Sequence, residues 1–333
     1  MASLSQIAQH AQVSKSTVSL VLNNRPHVSQ QMRDRVLKAV AELSPHRITP
    51  GNGSKANANI LLIHPLSMGS HQVFRELLQG VRSAVIDEGR GQLTLAAHDP
   101  PLRPDHATSA LLHDPALRPD GVIVMAAAED DPIISATLAE GLPCVLLARQ
   151  HGPAGTSVVG MDNSAGTSAA VAHLIALSHR RIAFVGGNRM FDYTDLRIEG
   201  YQNAMKSAGL KPVCVLGDGA EATRKLLSME MSDESRPTAL VYVNDEHAAR
   251  GLPVLHDAGI RVPEDMSVIG FDDSDNAMMC RPQLSSVRVP RYLIGRIAGR
   301  TVLDHIQYPE FEHATVLLRT ELVIRASVAP YRG

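Results

Sequence analysis

Short apolar runs alternate with amphipathic stretches along the chain from residue 59 onward. Six mostly apolar runs are typical of buried parallel strands, namely 60–63, 122–125, 144–147, 182–185, 240–243 and 267–270. Apolar residues recur at the helical period between them, in 74–88, 164–177 and 197–208. This alternation predicts parallel sheets with helices on both faces, which is the doubly wound α/β arrangement. Because about 270 residues are too many for one such sheet, we expect two lobes with a cleft between them.

The first 43 residues follow the helical period alone. Three apolar stripes succeed one another, formed by Leu4, Ile7, Ala8 and Ala11, by Val18, Val21 and Leu22, and by Met32, Val36, Val40 and Leu43. Ser3, Ser14 and Ser29 precede the stripes, where a side-chain oxygen can cap a helix. The pattern predicts three short helices with these stripes turned inward, the last of them ending before Pro45.

Residues 44–58 differ in composition from the segments on either side. Pro, Gly, Ser and Asn dominate this stretch, which is typical of a linker. We therefore expect a helical head at 1–46, a linker at 47–58 and a large α/β body at 59–333.

Composition narrows the class of protein. Apolar residues make up 44% and charged residues 20% of the 333, as in globular proteins. No run of about 18 apolar residues occurs, so a membrane-spanning helix is not expected. The first residues lack the basic and apolar segments of a secretory signal. The three cysteines (Cys144, Cys214 and Cys280) are scattered, which favours a reducing cytoplasm over a disulfide framework.

Charge is distributed unevenly along the chain. Residues 1–47 carry six basic and two acidic groups, a net charge of +4, whereas the whole chain has −2. A basic head on an acidic body indicates that the head alone meets a polyanion. Within 7–23, a helix and a tight turn precede a second helix whose outer face holds Lys15, Ser16 and Ser19, as a DNA-reading helix requires. A small helical packing module would show the same periodicity, so periodicity alone leaves both interpretations open.

A dense set of residues in the head matches a known pattern, namely Ile7-Ala8, Ala11-Gln-Val-Ser14, Thr17-Val-Ser19, Val21-Leu-Asn23, His27-Val-Ser29, Arg33 and Arg35-Val36. In these residues the chain resembles the LacI/GalR family of bacterial transcription regulators. The resemblance implies DNA contacts from Ser14, Lys15, Ser16, Thr17, Ser19, Leu20, Asn23 and His27. Lys15 and Ser16 would touch bases, and Ser14, Thr17, Asn23 and His27 would touch phosphates or backbone. Leu20 stands where the family carries a guanine-reading arginine, and it would pack on a thymine methyl or on another helix.

The linker departs from the family. The family carries a Tyr-x-Pro-Asn stretch and then a hinge helix with a leucine that wedges into the minor groove. Here the stretch holds Pro45, Arg47 and Ile48, followed by Pro50-Gly-Asn-Gly53, with no Leu from 44 to 60. The sequence does not favour a hinge helix at this point.

Five motifs extend the resemblance through the body. They are Met161-Asp-Asn163, His179-Arg-Arg-Ile-Ala-Phe-Val-Gly-Gly187, Arg197-Ile-Glu-Gly-Tyr201, Val243-Asn-Asp245 and Val262-Pro-Glu-Asp-Met-Ser-Val-Ile-Gly-Phe-Asp-Asp273. The family body is similar to periplasmic sugar-binding proteins, with two α/β lobes, three crossovers and a ligand in the cleft. The resemblance implies a first lobe at about 59–159 and 289–318, and a second at about 160–286 and 320–333.

Polar residues follow the predicted strands, at the carboxyl edge where open α/β sheets bind ligands. They are Arg149, Asn244, Asp245, Asp272 and Asp273, whereas Asp162 lies at the first crossover and Arg197 begins a predicted helix. An arginine fork, carboxylates and an amide suit a polyhydroxylated ligand, although Asp162 and Asp273 would equally cap helices. The resemblance implies effector contacts from Arg197, Asn244, Asp272, Asp162 and Arg149, and from His71 and Gln72 of the first lobe. Phe191 or Tyr193 would stack on a sugar or pack internally.

Enzyme motifs are weak in this sequence. Gly217-Asp-Gly-Ala-Glu-Ala222 satisfies G-x-G-x-x-A, but a glycine-rich start of a helix explains it better. A P-loop, G-x-S-x-G and H-E-x-x-H are lacking, and Asp272-Asp-Ser-Asp-Asn276 lacks the Gly and Glu of a calcium loop. We expect no catalysis, metal or cofactor.

Three classes of function remain to be weighed. A solute-binding protein would need an export signal, and an enzyme with a regulatory head would need catalytic motifs. The sequence therefore favours a cytoplasmic homodimer that binds operator DNA, represses carbohydrate-use genes and responds to a sugar or sugar derivative. No membrane partner is expected.

Overall fold

The computed structural model describes most of the chain after residue 56 and part of the head. The described residues are 8, 10–14, 17–18, 21, 32, 35–36, 38–39, 57–65, 72–98, 110, 112–113, 119–125, 131–188, 192–230, 232 and 235–332. The chain divides into two compact units, Met1–Ala56 and Asn57–Gly333. The residue limits given above for head, linker and lobes stay predictions.

The described part of the head has a small aliphatic core. Its buried residues are Ala8, Ala11, Val18, Val21, Val36 and Ala39. Ser14 caps the second helix as predicted, because its Oγ accepts a hydrogen bond from the Thr17 N–H at 3.0 Å. The prediction that Met32 turns inward is wrong, since its exposure is 45%. The buried stripe of the third helix runs through Val36 and Ala39, and Met32 precedes it by one turn.

The first sheet of the body contains six parallel strands. They are β1 (Ala58–Pro65), β2 (Gly91–His98), β3 (Gly121–Met125), β4 (Cys144–Leu147), β5 (Thr156–Met161) and β11 (Thr315–Leu318), in the order β11-β5-β4-β3-β1-β2. Its helices are α1 (Gln72–Arg82), continued by a π-helical turn (Ser83–Asp87), α2 (Pro132–Ala139) and α8 (Arg291–Gln307). Ile60 and Leu62 of β1 enter one apolar core, whereas Leu61 and Ile63 enter another. The sheet is therefore covered on both faces.

The second sheet also contains six strands. They are β6 (Ile182–Val185), β7 (Val213–Val215), β8 (Ala239–Tyr242), β9 (Ser267–Asp272), β10 (Ser285–Arg288) and β12 (Glu321–Val323), in the order β12-β10-β9-β8-β6-β7. Only β12 is antiparallel to its described neighbour. The helices are α3 (Asn163–Ala176), α4 (Asp192–Ser207), α5 (Gly219–Ser228), α6 (Asp245–Asp257) and α7 (Asp275–Met279).

The chain passes between the two sheets three times. It leaves the first sheet after β5, returns to it after β10 through α8, and leaves again between β11 and β12. These passages give a body of two α/β lobes. The predicted fold class, a helix-turn-helix head followed by a two-lobed doubly wound body of periplasmic-binding-protein type, is thereby confirmed.

Helix α8 packs closely along α1 when it returns to the first lobe. A Cβ at Gly80 would lie 2.1 Å from the carbonyl oxygen of Tyr292, and a Cβ at Gly295 would lie 2.0 Å from that of Leu77. Glycine at both positions removes this obstacle, so the two backbones approach directly. The contact places the first turns of α8 beside residues 77–80 of α1.

Candidate functional site

The best-defined polar cluster is centred on Arg197, in the second lobe. Helix α4 begins at Asp192, so the prediction that Arg197 begins a helix is wrong. Thr194 is buried, and Tyr193 packs against the core, so apolar contacts support an additional helical turn before Arg197. Arg197 therefore lies inside helix α4 rather than at its first residue.

All three guanidinium nitrogens of Arg197 have partners. Nε donates to Oδ1 of Asn163 at 2.9 Å, Nη1 to the carbonyl oxygen of Val243 at 2.6 Å, and Nη2 to Oδ1 of Asp272 at 3.4 Å. These partners lie at the start of α3, just after β8 and at the end of β9. Arg197 is only 4% exposed. Its hydrogen bonds connect α4 to these three elements at the carboxyl edge of the sheet.

Two aromatic rings flank the same guanidinium. Its central carbon lies 3.6 Å from the ring centroid of Phe271 and 4.9 Å from that of Tyr193. Both distances fall within the range of cation–π attraction. Burial lowers the pKa of Arg197, and the Asp272 carboxylate partly opposes this shift. Tyr193 thus packs on Arg197, which is the internal alternative considered from the sequence.

Backbone strain is concentrated at two strand ends that bear site residues. Asp272 has φ 107° and Asp273 has φ 51°, and Ala148, just before Arg149, has φ 62°. Positive φ is costly for residues other than glycine and often marks functional positions. The strain turns the chain sharply at the ends of β4 and β9.

Asp272 also meets a residue that the sequence analysis did not single out. Arg291, the first residue of α8, donates through Nη2 to the carbonyl oxygen of Asp272 and lies 3.7 Å from its Oδ1. Nη1 of Arg291 lies 3.2 Å from Oε2 of Glu76 on α1. Asp272 therefore stands between two buried guanidinium groups, Arg197 and Arg291.

Two predicted site residues act as helix caps. Oδ1 of Asp162 accepts from the Ala165 N–H at 2.8 Å, at the start of α3. Oδ1 of Asn244 accepts from the His247 N–H at 2.9 Å, at the start of α6. These caps hold both side chains at the carboxyl edges of β5 and β8.

Asp273 does not cap the following helix, so that interpretation is wrong. Its carboxylate pairs with Arg288 at 2.7 Å and with Arg325 at 2.6 Å. These two arginines attract the carboxylate, and Ser274 occupies the N-cap of α7 instead.

Asp245 is a fully buried carboxylate beside the cluster. It accepts hydrogen bonds from Ser274 N–H at 2.7 Å, from Ser274 Oγ at 3.0 Å and from Ser286 Oγ at 2.6 Å. Burial, with the nearby charge of Asp272, raises the pKa of Asp245 to about 7. Burial disfavours the ionised form of a carboxyl group, which explains the direction.

Two segments of the first lobe contact residues of the second lobe near the cluster, namely the segment after β4 and the start of α1. Arg149, after β4, is 3% exposed, and its neighbour Gln150 accepts at Oε1 from Nδ2 of Asn163 at 3.1 Å. Asn163 in turn holds Arg197. At the start of α1, Oε1 of Gln72 accepts a hydrogen bond from the backbone N–H of Asp275 at 2.5 Å.

Several predicted contacts lie outside the described residues. They are His71, Phe191, Lys15, Ser16, Ser19, Leu20, Asn23 and His27. In the head, Ser14 and Thr17 are described, and their hydroxyl oxygens lie 2.7 Å apart at the start of the second helix.

The sequence analysis missed four residues that shape the cluster: Asn163, Phe271, Glu76 and Arg291. Asn163 and Phe271 are adjacent in sequence to the predicted Asp162 and Asp272, and this adjacency was a usable signal. Glu76 and Arg291 pair across 215 positions of sequence, and no local pattern marks such a pair.

The glycine-rich motif has a structural explanation. Asp218 caps α5 by accepting from the Ala220 N–H at 3.0 Å, and a Cβ at Gly219 would lie 2.1 Å from the carbonyl oxygen of His247. The start of a helix thus accounts for both the Asp and the second Gly. Across the described residues, no three His, Cys, Asp or Glu side chains form a group that could hold a metal ion. No helix in this part of the chain is long and apolar enough to span a membrane.

Comparison with known proteins identifies the family. Residues 3–46 match bacterial regulatory proteins of the lacI family, and residues 171–328 match the periplasmic binding protein-like domain. The HTH-type transcriptional regulator CelR of Thermobifida fusca is 30% identical over 341 residues, which cover 97% of each chain. The ribose operon repressor of Haemophilus influenzae is 27% identical over 336 residues, which cover 98% of this chain and 99% of the repressor.

A solved structure supports the same assignment over nearly the whole length. The complex of the transcriptional regulator CelR with cellobiose has a TM-score of 0.71 and 28% identity, and covers 98% of this chain and 100% of that chain. The match includes both the head and the body. The chain belongs to the lacI family of bacterial regulatory proteins.

Proposed function

We propose that the protein is a sequence-specific DNA-binding repressor of carbohydrate-use genes, controlled by a sugar-like effector bound between the two lobes. The observation that carries the effector site is the buried Arg197, held by Asp272 and flanked by Phe271 and Tyr193. A fixed guanidinium and a carboxylate suit the neighbouring hydroxyl groups of a sugar. The solved relative contains cellobiose, which supports the same ligand class.

The proposed effector contacts come from both lobes. The second lobe contributes Arg197, Asn244, Asp272 and Asp162, and the first contributes Arg149, His71 and Gln72. The strained backbone at Asp272 and beside Arg149 supports this set, since such strain is often retained for function.

The DNA contacts that we propose come from the second helix of the head and the segment after it. They are Ser14, Lys15, Ser16, Thr17, Ser19, Leu20, Asn23 and His27. The cap formed by Ser14 supports this proposal because it fixes the start of the helix, where backbone N–H groups favour a phosphate. The proposed head ends near residue 46 and is joined by a linker at 47–58 to the body at 59–333.

The effector proposal is tested with Arg197→Lys, which keeps the positive charge and loses the planar fork. A thermal-shift panel of cellobiose, ribose, sugar phosphates and nucleosides first finds a sugar that raises the unfolding midpoint of the unmodified protein. Calorimetry with that sugar should then show about 30-fold weaker binding by Arg197→Lys, since the ammonium group cannot reproduce the paired hydrogen bonds of the fork and each hydrogen bond to a charged group is worth about 1.5–3 kcal/mol. Operator binding without sugar should change little in a gel shift.

Arg250→Lys is the matched control for this experiment. Arg250 pairs with Asp218 and Glu246 at 2.5 Å on an exposed face of the second lobe. The control should bind sugar and operator like the unmodified protein. Unchanged sugar affinity in Arg197→Lys would remove Arg197 from the site, and loss of operator binding would make its role structural.

A further inference from the structure

The two lobes touch at a cluster of polar side chains beside the effector site. The cluster, called the lobe latch below, consists of Gln72, Glu76, Asp272, Asp275 and Arg291. Gln72 and Glu76 lie on α1 of the first lobe, and Arg291 begins α8, which packs along α1. Asp272 ends β9 and Asp275 begins α7, both in the second lobe. The latch therefore joins elements of different lobes.

Arg291 makes the main contacts of the lobe latch. Its side chain is 3% exposed, and it pairs with Glu76 at 3.2 Å on one side. On the other side, it donates to the carbonyl oxygen of Asp272 and lies 3.7 Å from Oδ1 of that residue. Because Arg291 is shielded from water, its attraction to these carboxylates is stronger than that of an exposed ion pair. One guanidinium thus links α1 to the end of β9.

Gln72 forms the second tie. Its amide oxygen accepts from the Asp275 N–H at 2.5 Å, and its amide nitrogen donates to Oε1 of Glu76 at 2.6 Å. Glu76 is therefore held from two directions, by Gln72 and by Arg291. Arg75 adds an exposed pair to Asp275 at 3.6 Å, which contributes little because water screens it.

Asp272 belongs both to the latch and to the effector site. Its Oδ1 lies 3.4 Å from Nη2 of Arg197 and 3.7 Å from Nη2 of Arg291. A ligand hydroxyl that binds Oδ1 of Asp272 weakens the ion pair between this oxygen and Arg291, whereas the hydrogen bond of Arg291 goes to the Asp272 carbonyl oxygen. Because a ligand shifts a conformational equilibrium only through contacts that differ between the two states, this shared oxygen connects occupancy to the junction of the lobes.

We propose that Arg291 is a positioning residue of the effector response. It holds Asp272 against the first lobe, and it loosens this hold when a ligand engages Asp272. The inference rests on the proposed function for its ligand. It also gives Gln72, an effector contact in the sequence analysis, the role of joining the lobes.

The experiment measures the distance between the lobes in the full-length protein without any ligand. Spin labels are attached to cysteines introduced at the exposed Gln92 of the first lobe and the exposed Glu221 of the second. Cys214 and Cys280 are replaced by serine in this parent. Pulsed electron–electron double resonance, on labelled protein diluted into an excess of unlabelled protein so that each dimer carries one labelled chain, then gives the distribution of distances between the lobes. Arg291→Met should broaden this distribution about twofold, because the lobes lose their main tie.

Matched variants separate positioning from general destabilisation. Glu76→Gln should broaden the distribution in the same direction, because it removes the charge that holds Arg291. Arg291→Lys should recover part of the parent's narrow distribution. Arg90→Met removes an arginine whose pair with Asp304, also 3.2 Å, lies within the first lobe, and it should leave the distribution unchanged.

The results test the lobe latch independently of the proposed effector. If Arg291→Met does not fold, as judged by its circular-dichroism melting curve, Glu76→Gln alone decides. Parent-like distributions in the folded variants overturn the proposal. A sugar panel that shifts no melting midpoint counts against the proposed effector, whereas the distances measured without ligand still decide the latch.

Discussion

At the residue scale, three ionisable side chains in or beside the candidate site are buried away from water. Arg197 and Arg291 are 4% and 3% exposed, and Asp245 is completely buried. Each of them is held by hydrogen bonds or ion pairs from several elements. Side chains held in this way are oriented before a ligand arrives, which lowers the entropic cost of binding.

Asp245 should make the stability of the protein depend on pH. Its pKa is about 7 in the folded protein against an ordinary value of 3.8. The folded state therefore holds this proton more tightly, and the free energy of unfolding falls as the pH rises from about 4 to about 7. This contribution is at most about 4 kcal/mol, since one pKa unit corresponds to about 1.4 kcal/mol. Asp245→Asn should remove it, as measured by urea denaturation at pH 5 and pH 8.

The control for this measurement lies on the same helix. Asp257→Asn changes an exposed residue at the end of α6 and should retain the pH dependence of the unmodified protein. If Asp245→Asn lost as much stability between pH 5 and pH 8 as the unmodified protein, another group would be responsible for the dependence.

At the element scale, the contact between α1 and α8 determines where Arg291 meets Glu76. Gly80→Ala would place a methyl group 2.1 Å from the Tyr292 carbonyl oxygen, so the helices must separate. Crowding of this kind costs about 1–3 kcal/mol. We expect a loss of that size in urea denaturation. Gln79→Ala, on the exposed face of the same helix, should change stability little, and equal losses in both variants would contradict the packing argument.

Strands that are wholly apolar and buried could be predicted from the sequence. The expected runs at 144–147 and 182–185 coincide with β4 and β6. β2 was missed because it is an edge strand with several exposed side chains, and β10 because two of its buried residues, Ser285 and Ser286, are polar. Local hydrophobicity therefore identifies strands of apolar residues better than edge strands or strands that bury polar residues.

The site could be predicted only as far as strand ends indicate it. Arg197, Asn244 and Asp272 were predicted because they follow strands or match the family motif, and their contacts with an effector stay predictions. The partners of Arg197 lie 34, 46 and 75 positions away, so its contacts depend on the packing of α3, β8 and β9. The latch depends on α8 returning to the first lobe, which no short segment encodes.

At the scale of the whole molecule, we expect a homodimer on a near-palindromic operator. One head with a net charge of +4 should bind DNA weakly, whereas two linked heads gain affinity through their effective concentration. Sedimentation at micromolar concentration should give a dimer, and a half-site should bind much more weakly than the full operator. A monomer with equal affinity for both DNAs would exclude this arrangement.

We also expect less DNA bending than is usual for the family. Kinking requires an apolar wedge between base steps, and residues 47–58 offer only Ile48, among Pro and Gly residues that disfavour a helix. Circular-permutation gel shifts should show no strong central kink. If a kink is found and Ile48→Ala abolishes it, Ile48 is the wedge.

The threefold passage of the chain between the sheets has a consequence for biosynthesis. β11, an edge strand of the first sheet, comes from residues 315–318, after nearly all of the second lobe has been translated. Until then, β5 presents an unpaired edge, and unpaired edges recruit strands from other chains. Because nascent domains generally fold as units, the first lobe emerges from the ribosome incomplete. Nascent chains should therefore need chaperone protection until residues 315–318 are made, and premature termination before residue 315 should yield aggregates rather than a folded first lobe.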